Sequence, residues 1–464
     1  MSPEPTANIT MLTGNPKSAV IKIAGPMMIA MILMTVYNLV DAIWVAGLGS
    51  NALAAIGFVF PVFFILMGLG NGLGAGVGSA ISRYIGANDK QSADSAGMQG
   101  LVVTLVLTLI VTVPLFLWGS QIFLLMGAGP ATSLATEYGA IVFGFGILFT
   151  FMGVGSAMLR SEGNAKRAMY AMLTSSVINI ILDPILIYWA GWGIAGAAWA
   201  TVISAFFVIL LMVYWYGIKR DTYVSLTWRT YAPDWQKIKE ILGVGIPATF
   251  EFLLMSVLTI FINITLVTTG GTDAVAVYSA GWRVVQMAII PMIAISTAVV
   301  AVGGAAFGAK QYENLKVVHT YAIQIGVGIG LLLSAFTYIA APWITMLFTY
   351  TPESAALAPE IITFLQIMVF FYPFVPLGMM TSTIFQAVGK GTTSLIITML
   401  RTVIFIAFFA WLFGVALEWG TTGVWGGIVA GDIFGSAVAY FWGRRYINGL
   451  ISGTKNAVAA KDTT

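Results

Sequence analysis

The chain reads as an all-α integral membrane protein: twelve transmembrane helices in two six-helix lobes, related by a pseudo-two-fold axis along the membrane normal. Three observations predict it. The composition is 59% hydrophobic and 8% charged, with mean hydropathy +0.93. Soluble domains run at roughly 45–50% apolar and about 25% charged, so the bilayer must act as the solvent. Apolar stretches of about 20 residues, enough to cross a bilayer, recur between turn signals. The second half of the chain repeats landmarks of the first, in register.

The spans fall at 20–46, 52–82, 94–118, 136–158, 168–190, 193–216, 237–268, 274–306, 316–340, 357–387, 393–416 and 421–443. Lys and Arg orient them. Arg83 and Lys90 follow span two. Arg160, Lys166 and Arg167 follow span four. Lys219, Arg220, Arg229, Lys237 and Lys239 lie around the link between spans six and seven. Lys310 and Lys316 follow span eight, and Lys390 follows span ten. The opposite loops hold no Lys or Arg but carry Glu137, Asp273, Glu353, Glu360 and Glu418. Positive charge stays inside, so Lys17, Lys22, Arg444, Arg445, Lys455 and Lys461 put both termini in the cytoplasm.

The repeat is spaced by about 222 residues. Tyr84–Lys90 (YIGANDK) answers to Ala306–Tyr312 (AFGAKQY), with Gly86 on Gly308. Gly25-Pro26 opens span one as Ile246-Pro247 opens span seven. Later the offset grows: Glu162-Gly163-Asn164 falls on Val388-Gly389-Lys390, and Trp192-Gly193 on Trp419-Gly420. The halves are therefore 1–225 and 226–464, divided in the basic linker. Six spans each give them the same orientation, with a substrate cavity expected between them.

Asp41 and Asp183 stand inside apolar spans one and five. A charged residue at a helix centre costs roughly 2.5–3.5 kcal/mol on insertion scales, so such groups mark ion or proton pathways. Both spans run outward, which puts the two acids at similar depth. Asn179 is one turn from Asp183, and Tyr37 and Asn38 are one turn from Asp41. With Thr201 these residues form one polar patch, whose oxygens suit Na⁺ or a shared proton. A network that only glues helices is the competing reading, but intramembrane polar bonds average about 0.6 kcal/mol, too little to offset two acids. Asp41 aligns with Asn263, and Asp183 with Phe409 or Ala410, so the expected ion site belongs to one half only.

Weaker candidates surround it. Pro26 is a candidate hinge. Glu251, Asn263 and Arg283 are candidates in the second lobe, with Arg401 and Asp432 as possible charge partners. Met34, with Met27, Met28, Met31, Met67 and Met172, suits an adaptable apolar wall as well as plain packing. His319 reads as interfacial.

Several classes of function are excluded. The chain has no cysteine and one histidine, which removes thiolate and His-cluster metal sites and leaves no enzymatic constellation. The net charge of +3 lies in loops, which argues against nucleic-acid binding. The polar Met1–Pro16 lacks a signal-peptide pattern. No cofactor is called for.

Four stretches carry a resemblance: Pro26…Asn38-Leu-Val-Asp-Ala-Ile-Trp44, Ile81-Ser-Arg-Tyr-Ile-Gly-Ala87, Leu159-Arg-Ser-Glu-Gly-Asn164 and Asn179-Ile-Ile-Leu-Asp-Pro184. Over roughly 15–448 the chain resembles the multidrug and toxic compound extrusion family, in its DinF-like prokaryotic branch. The resemblance implies an antiporter in a cell membrane, monomeric, that expels bulky amphipathic and often cationic compounds in exchange for H⁺ or Na⁺. It implies coupling at Asp41, Asp183, Asn179 and Thr201, with Tyr37, Asn38, Tyr138 and Asn164 around the cavity and a bend at Pro26. In another branch an acid on span seven matters, and Glu251 is the nearest match. The alternative is a flippase for lipid-linked precursors, which would favour a basic cavity.

Overall fold

In a computed structural model the chain is described over residues 7–227, 231–349 and 355–462, except for the side chains of Ala46, Ser50 and 455–462. Arg229 and Glu353 lie outside the described residues, as do the side chains of Lys455 and Lys461. Among the described residues the regular structure is helical throughout, with no strand. This follows from the solvent: in hydrocarbon every backbone N–H and C=O must find a partner within its own segment.

Spans one, two and three are Pro16–Ala46, Ser50–Gly86 and Lys90–Leu117. Asp89 caps span three by accepting from the Ser92 N–H at 2.9 Å. Span four is bent by 49° where Gly129–Gly144 meets Gly146–Ser161. Span five is Ala165–Pro184, continued by a wide π turn over Ile185–Trp189. Span six is Gly193–Val213, continued in the same way to Lys219. Spans seven and eight form one run, Trp235–Gly308, broken where Gly271 adopts φ 70° and ψ −160°. Span nine is Tyr312–Met346.

Span ten differs from the expected single helix. It consists of Ala358–Met368 and Val375–Ala387, separated by turns over 369–374. Pro373 and Pro376 withhold N–H donors at that break. The Ser334 hydroxyl donates to the freed Val369 carbonyl, which is how a membrane helix tolerates an interruption. Span eleven runs from Gly391 to Ala416 through two π segments, and span twelve is Gly420–Asp462. Twelve spans result among the described residues, with the short helices Ala7–Thr13 and Gly119–Leu125 as additions that hydropathy did not mark.

The repeat is written into the backbone. Left-handed residues recur in matched loops: Gly49 with Gly271, Asn88 with Lys310, Gly163 with Gly389, Gly191 with Glu418 and Gly193 with Gly420. The bend at Phe145 has its counterpart in the break at 369–374, and the π turn Ile185–Trp189 in Leu412–Ala416. The offset grows from 222 in the early pairs to 227 in the last.

Contacts group the chain into two compact units: Met1–Asn15 with Gly25–Thr249, and Pro16–Ala24 with Phe250–Thr464. The division falls inside spans one and seven rather than in the linker at 225/226. Each unit thus holds the opening turns of the other half's first span. In the first unit glycine makes this possible: a Cβ at Gly76 or Gly72 of span two would collide with Ile241 or Thr249 of span seven. Glu240 adds a bond at 3.0 Å from the Tyr84 hydroxyl. Each unit has its own apolar core, one around Leu66, Phe123, Phe143 and Phe149, the other around Phe364, Tyr372 and Trp425.

Candidate functional site

The first unit brings Asp41 and Asp183 together. Their carboxylates lie within hydrogen-bonding reach of each other. Asp183 is fully buried and Asp41 half-buried, and one oxygen of each is buried without a partner. Asn179 lies one helical turn before Asp183 and is also buried. A carboxylate offers only acceptors, which orients the Asn179 amide: its nitrogen donates to Asp183 Oδ2 at 2.8 Å, and its oxygen accepts from Thr201 Oγ1 at 3.3 Å. Tyr37 of span one and Tyr138 of span four both reach the Thr201 hydroxyl. Six of the expected residues, on four spans, therefore form one connected cluster. No basic side chain is among the groups that act on the pair.

The remaining candidates stand apart from it. Met34 is half-buried one turn before Asn38, and Asn38 is exposed. Asn164 caps the start of span five, its oxygen accepting from the Arg167 N–H at 3.4 Å. Nineteen residues of helix separate it from Asp183, so it does not reach the cluster. Pro26 is half-buried, and span one runs through it as continuous helix.

In the second unit Glu251 accepts from Ser394 Oγ at 2.7 Å and from Gln386 Nε2 at 3.2 Å. Asn263 leaves its buried Oδ1 without a partner, and Arg283 is exposed. Arg401 is taken up by Asp432, at 2.8 Å with both buried. Glycines at 378 and 435 make room for it, since a Cβ at either would meet the Arg401 side chain. His319 is not interfacial: it is fully buried, with Nε2 at 2.9 Å from Thr381 Oγ1 and the ring stacked on Tyr440. Two residues were not foreseen. Tyr188 donates to the Trp44 carbonyl. Glu162, at the end of span four, accepts from the Tyr216 hydroxyl and the Tyr223 N–H, each at 2.8 Å. The only sequence signal for either was the repeat, which puts Val415 and Val388 at the matching places.

The sequence model of one family, MatE, matches twice, over residues 26–185 and 247–412, once in each half. The chain belongs to the MatE family. It is 29% identical over 415 residues to the multidrug export protein MepA of Staphylococcus aureus, covering 87% of this chain and 88% of that one. It superposes with TM-score 0.93 on an outward-facing multidrug resistance MATE transporter of the MOP superfamily, at 41% identity over 97% of this chain and 100% of the other. A MATE transporter in a bent conformation superposes with TM-score 0.92, at 39% identity and the same coverage. Both acids lie within the first matched block, and the chain is a multi-pass membrane transporter of this family.

Proposed function

We propose that this MatE protein is an antiporter that exports bulky amphipathic, often cationic compounds by alternating access, driven by H⁺ or Na⁺ at Asp41 and Asp183. The observation that carries the reading is the acid pair itself. Two carboxylates within hydrogen-bonding reach in a low-dielectric interior repel unless a proton or cation lies between them. No side chain supplies that positive charge here. An ion arriving from water does, and its arrival or departure changes the force between spans one and five. The export of drugs by MepA and by the multidrug resistance relative supports the direction and the substrate class. The bent relative supports more than one conformation for the fold. Loop charge supports cytoplasmic termini.

Proton and sodium make different demands on Asn179. A proton leaves its nitrogen free to donate to Asp183, as it does here. Sodium takes oxygen ligands, from Asp41, Asp183 and Thr201, and requires the amide to turn its oxygen inward. The flippase reading finds less support, because it favours a basic cavity and Arg401 is committed to Asp432, which leaves Arg283 as the exposed in-span cation.

Reconstitution in liposomes tests this. A proton gradient and a sodium gradient are imposed separately while a fluorescent cationic dye is followed. Dye movement against its own gradient under one of the two is the expected result. Dye indifferent to both gradients, together with movement of a labelled polyprenyl pyrophosphate, would establish the flippase instead.

A further inference from the structure

We propose that Tyr188 is a positioning residue: it latches the C-terminal end of span one onto span five, next to the acid pair. The inference deepens the coupling role proposed for Asp41 and Asp183. Its geometry is specific. The Tyr188 hydroxyl donates to the Trp44 carbonyl, and the two rings meet edge-on at 6.1 Å and 67°. Trp44 lies one turn beyond Asp41, and Tyr188 five residues beyond Asp183, so each partner in the latch shares a helix with one acid. The π turn Ile185–Trp189, which starts immediately after Asp183-Pro184, carries the tyrosine. Single π turns inside α-helices are rare and concentrate at functional sites. Gly47 completes the fit, because a Cβ there would collide with the Tyr188 hydroxyl.

The repeat separates this arrangement from an ordinary interfacial tyrosine, which membrane proteins place at both water boundaries. At the matching offsets the second half has Leu266 for Trp44, Thr269 for Gly47 and Val415 for Tyr188. The π turn is present in both halves, over Ile185–Trp189 and Leu412–Ala416. Only the half that carries both acids uses it to present a hydroxyl. Where the acids are missing, the latch is missing too. The latch therefore holds span one in the position seen here, and a movement of span one driven by the ion must first break it.

Tyr188→Phe removes the bond and keeps the ring against Trp44. The chain contains no cysteine, so a spin label at Ile43→Cys is unique, and one at Leu109→Cys on span three provides a reference. The titratable groups facing the acid pair are Tyr37 of span one and Tyr138 of span four. At fixed pH the Ile43 label should become more mobile in Tyr188→Phe than in the parent. The pH midpoint of the distance change should rise by about 0.5–1 unit, since one lost hydrogen bond lets span one move at lower proton occupancy. With sodium as the driver, the midpoint concentration should fall by roughly 3–10-fold. Unchanged mobility and an unchanged midpoint would overturn the latch. A parent whose distance ignores both pH and Na⁺, while Tyr188→Phe still loosens the label, would overturn the coupling role and leave the latch standing as an anchor.

Discussion

Both halves of this transporter bury acids in their spans, and they treat them differently. The first half turns Asp41 and Asp183 toward each other without a base. The second half gives its buried Asp432 the Arg401 guanidinium at 2.8 Å. The repeat shows this to be an exchange: the first half has Thr174 or Ser175 and Ala205 where the second has Arg401 and Asp432, and the second has Asn263 and Phe409 or Ala410 where the first has its acids. A charge with a built-in partner is structural. A charge without one is an invitation to an ion. One scaffold, used twice, carries an acid pair without a base in its first half and an Asp432–Arg401 ion pair in its second.

The comparison breaks most visibly at the uncompensated acids. Asp41→Asn and Asp183→Asn should each reduce gradient-driven dye export in liposomes to the level of protein-free vesicles, at normal expression and with an unchanged elution profile in detergent. Gradient-driven export by either variant would remove the coupling role. Asn263→Asp should not rescue Asp41→Asn, because Phe409 or Ala410 stands where the second half would need its own Asp183. Rescue would show that the halves are interchangeable.

The compensated pair should fail in another way. Arg401→Met leaves Asp432 buried and alone, and breaking a buried pair from one side costs about 3–5 kcal/mol. Thermal unfolding in detergent should register a loss of that order, and Asp432→Asn should show a smaller one. The double variant Arg401→Met/Asp432→Leu should recover most of the stability and retain dye export. A stable double variant that no longer transports would show that the second half also carries function in its charges.

Much of this contrast was legible in the sequence, because it is a contrast of residue types at repeated positions. Asp41, Asp183, Asn179 and Thr201 could be grouped by depth and helix face, since a buried acid in an apolar span stands out against hydrocarbon. The spans were legible for the same reason. Asn164 stands apart from the acids because a motif marks a stretch of chain and not a depth; as a helix cap it sits at the far end of span five. The break in span ten escaped because hydropathy averages over a window and is blind to a lost backbone bond. His319 escaped because a lone histidine near a helix start carries no pattern, and only Thr381 and Tyr440 on other spans explain its burial. Tyr188 and Glu162 act through partners distant in sequence, and no periodicity reveals those.

Glu162 gives the smallest effect and extends the comparison beyond the spans. It lies in the loop after span four, 2% exposed, where its repeat partner is the apolar Val388. Its carboxylate holds the linker between the halves, through the Tyr223 N–H and the Tyr216 hydroxyl. Lys90 and Asp94 hold the same segment through the Tyr223 carbonyl and the Ser225 N–H. Burial pushes the Glu162 carboxyl from 4.5 up to about 7, and the bonds from Tyr216, Tyr223 and Val224, with the charge of Arg167, only partly oppose it. When the linker lifts away, the group returns toward its ordinary value and releases a proton between those two limits. Lifting therefore becomes easier as pH rises from about 4.5 to about 7 and changes little beyond, where the group is ionised in both states. Amide exchange at 222–226, corrected for intrinsic rates, should show protection falling by on the order of 10–100-fold across that window. Glu162→Gln should flatten this dependence, and the matching loop at 388–390 should show none in either protein. A pH-independent linker in the parent would mean that the carboxyl stays ionised against Arg167, and that Glu162 adds no proton-sensitive group to the acid pair proposed for coupling.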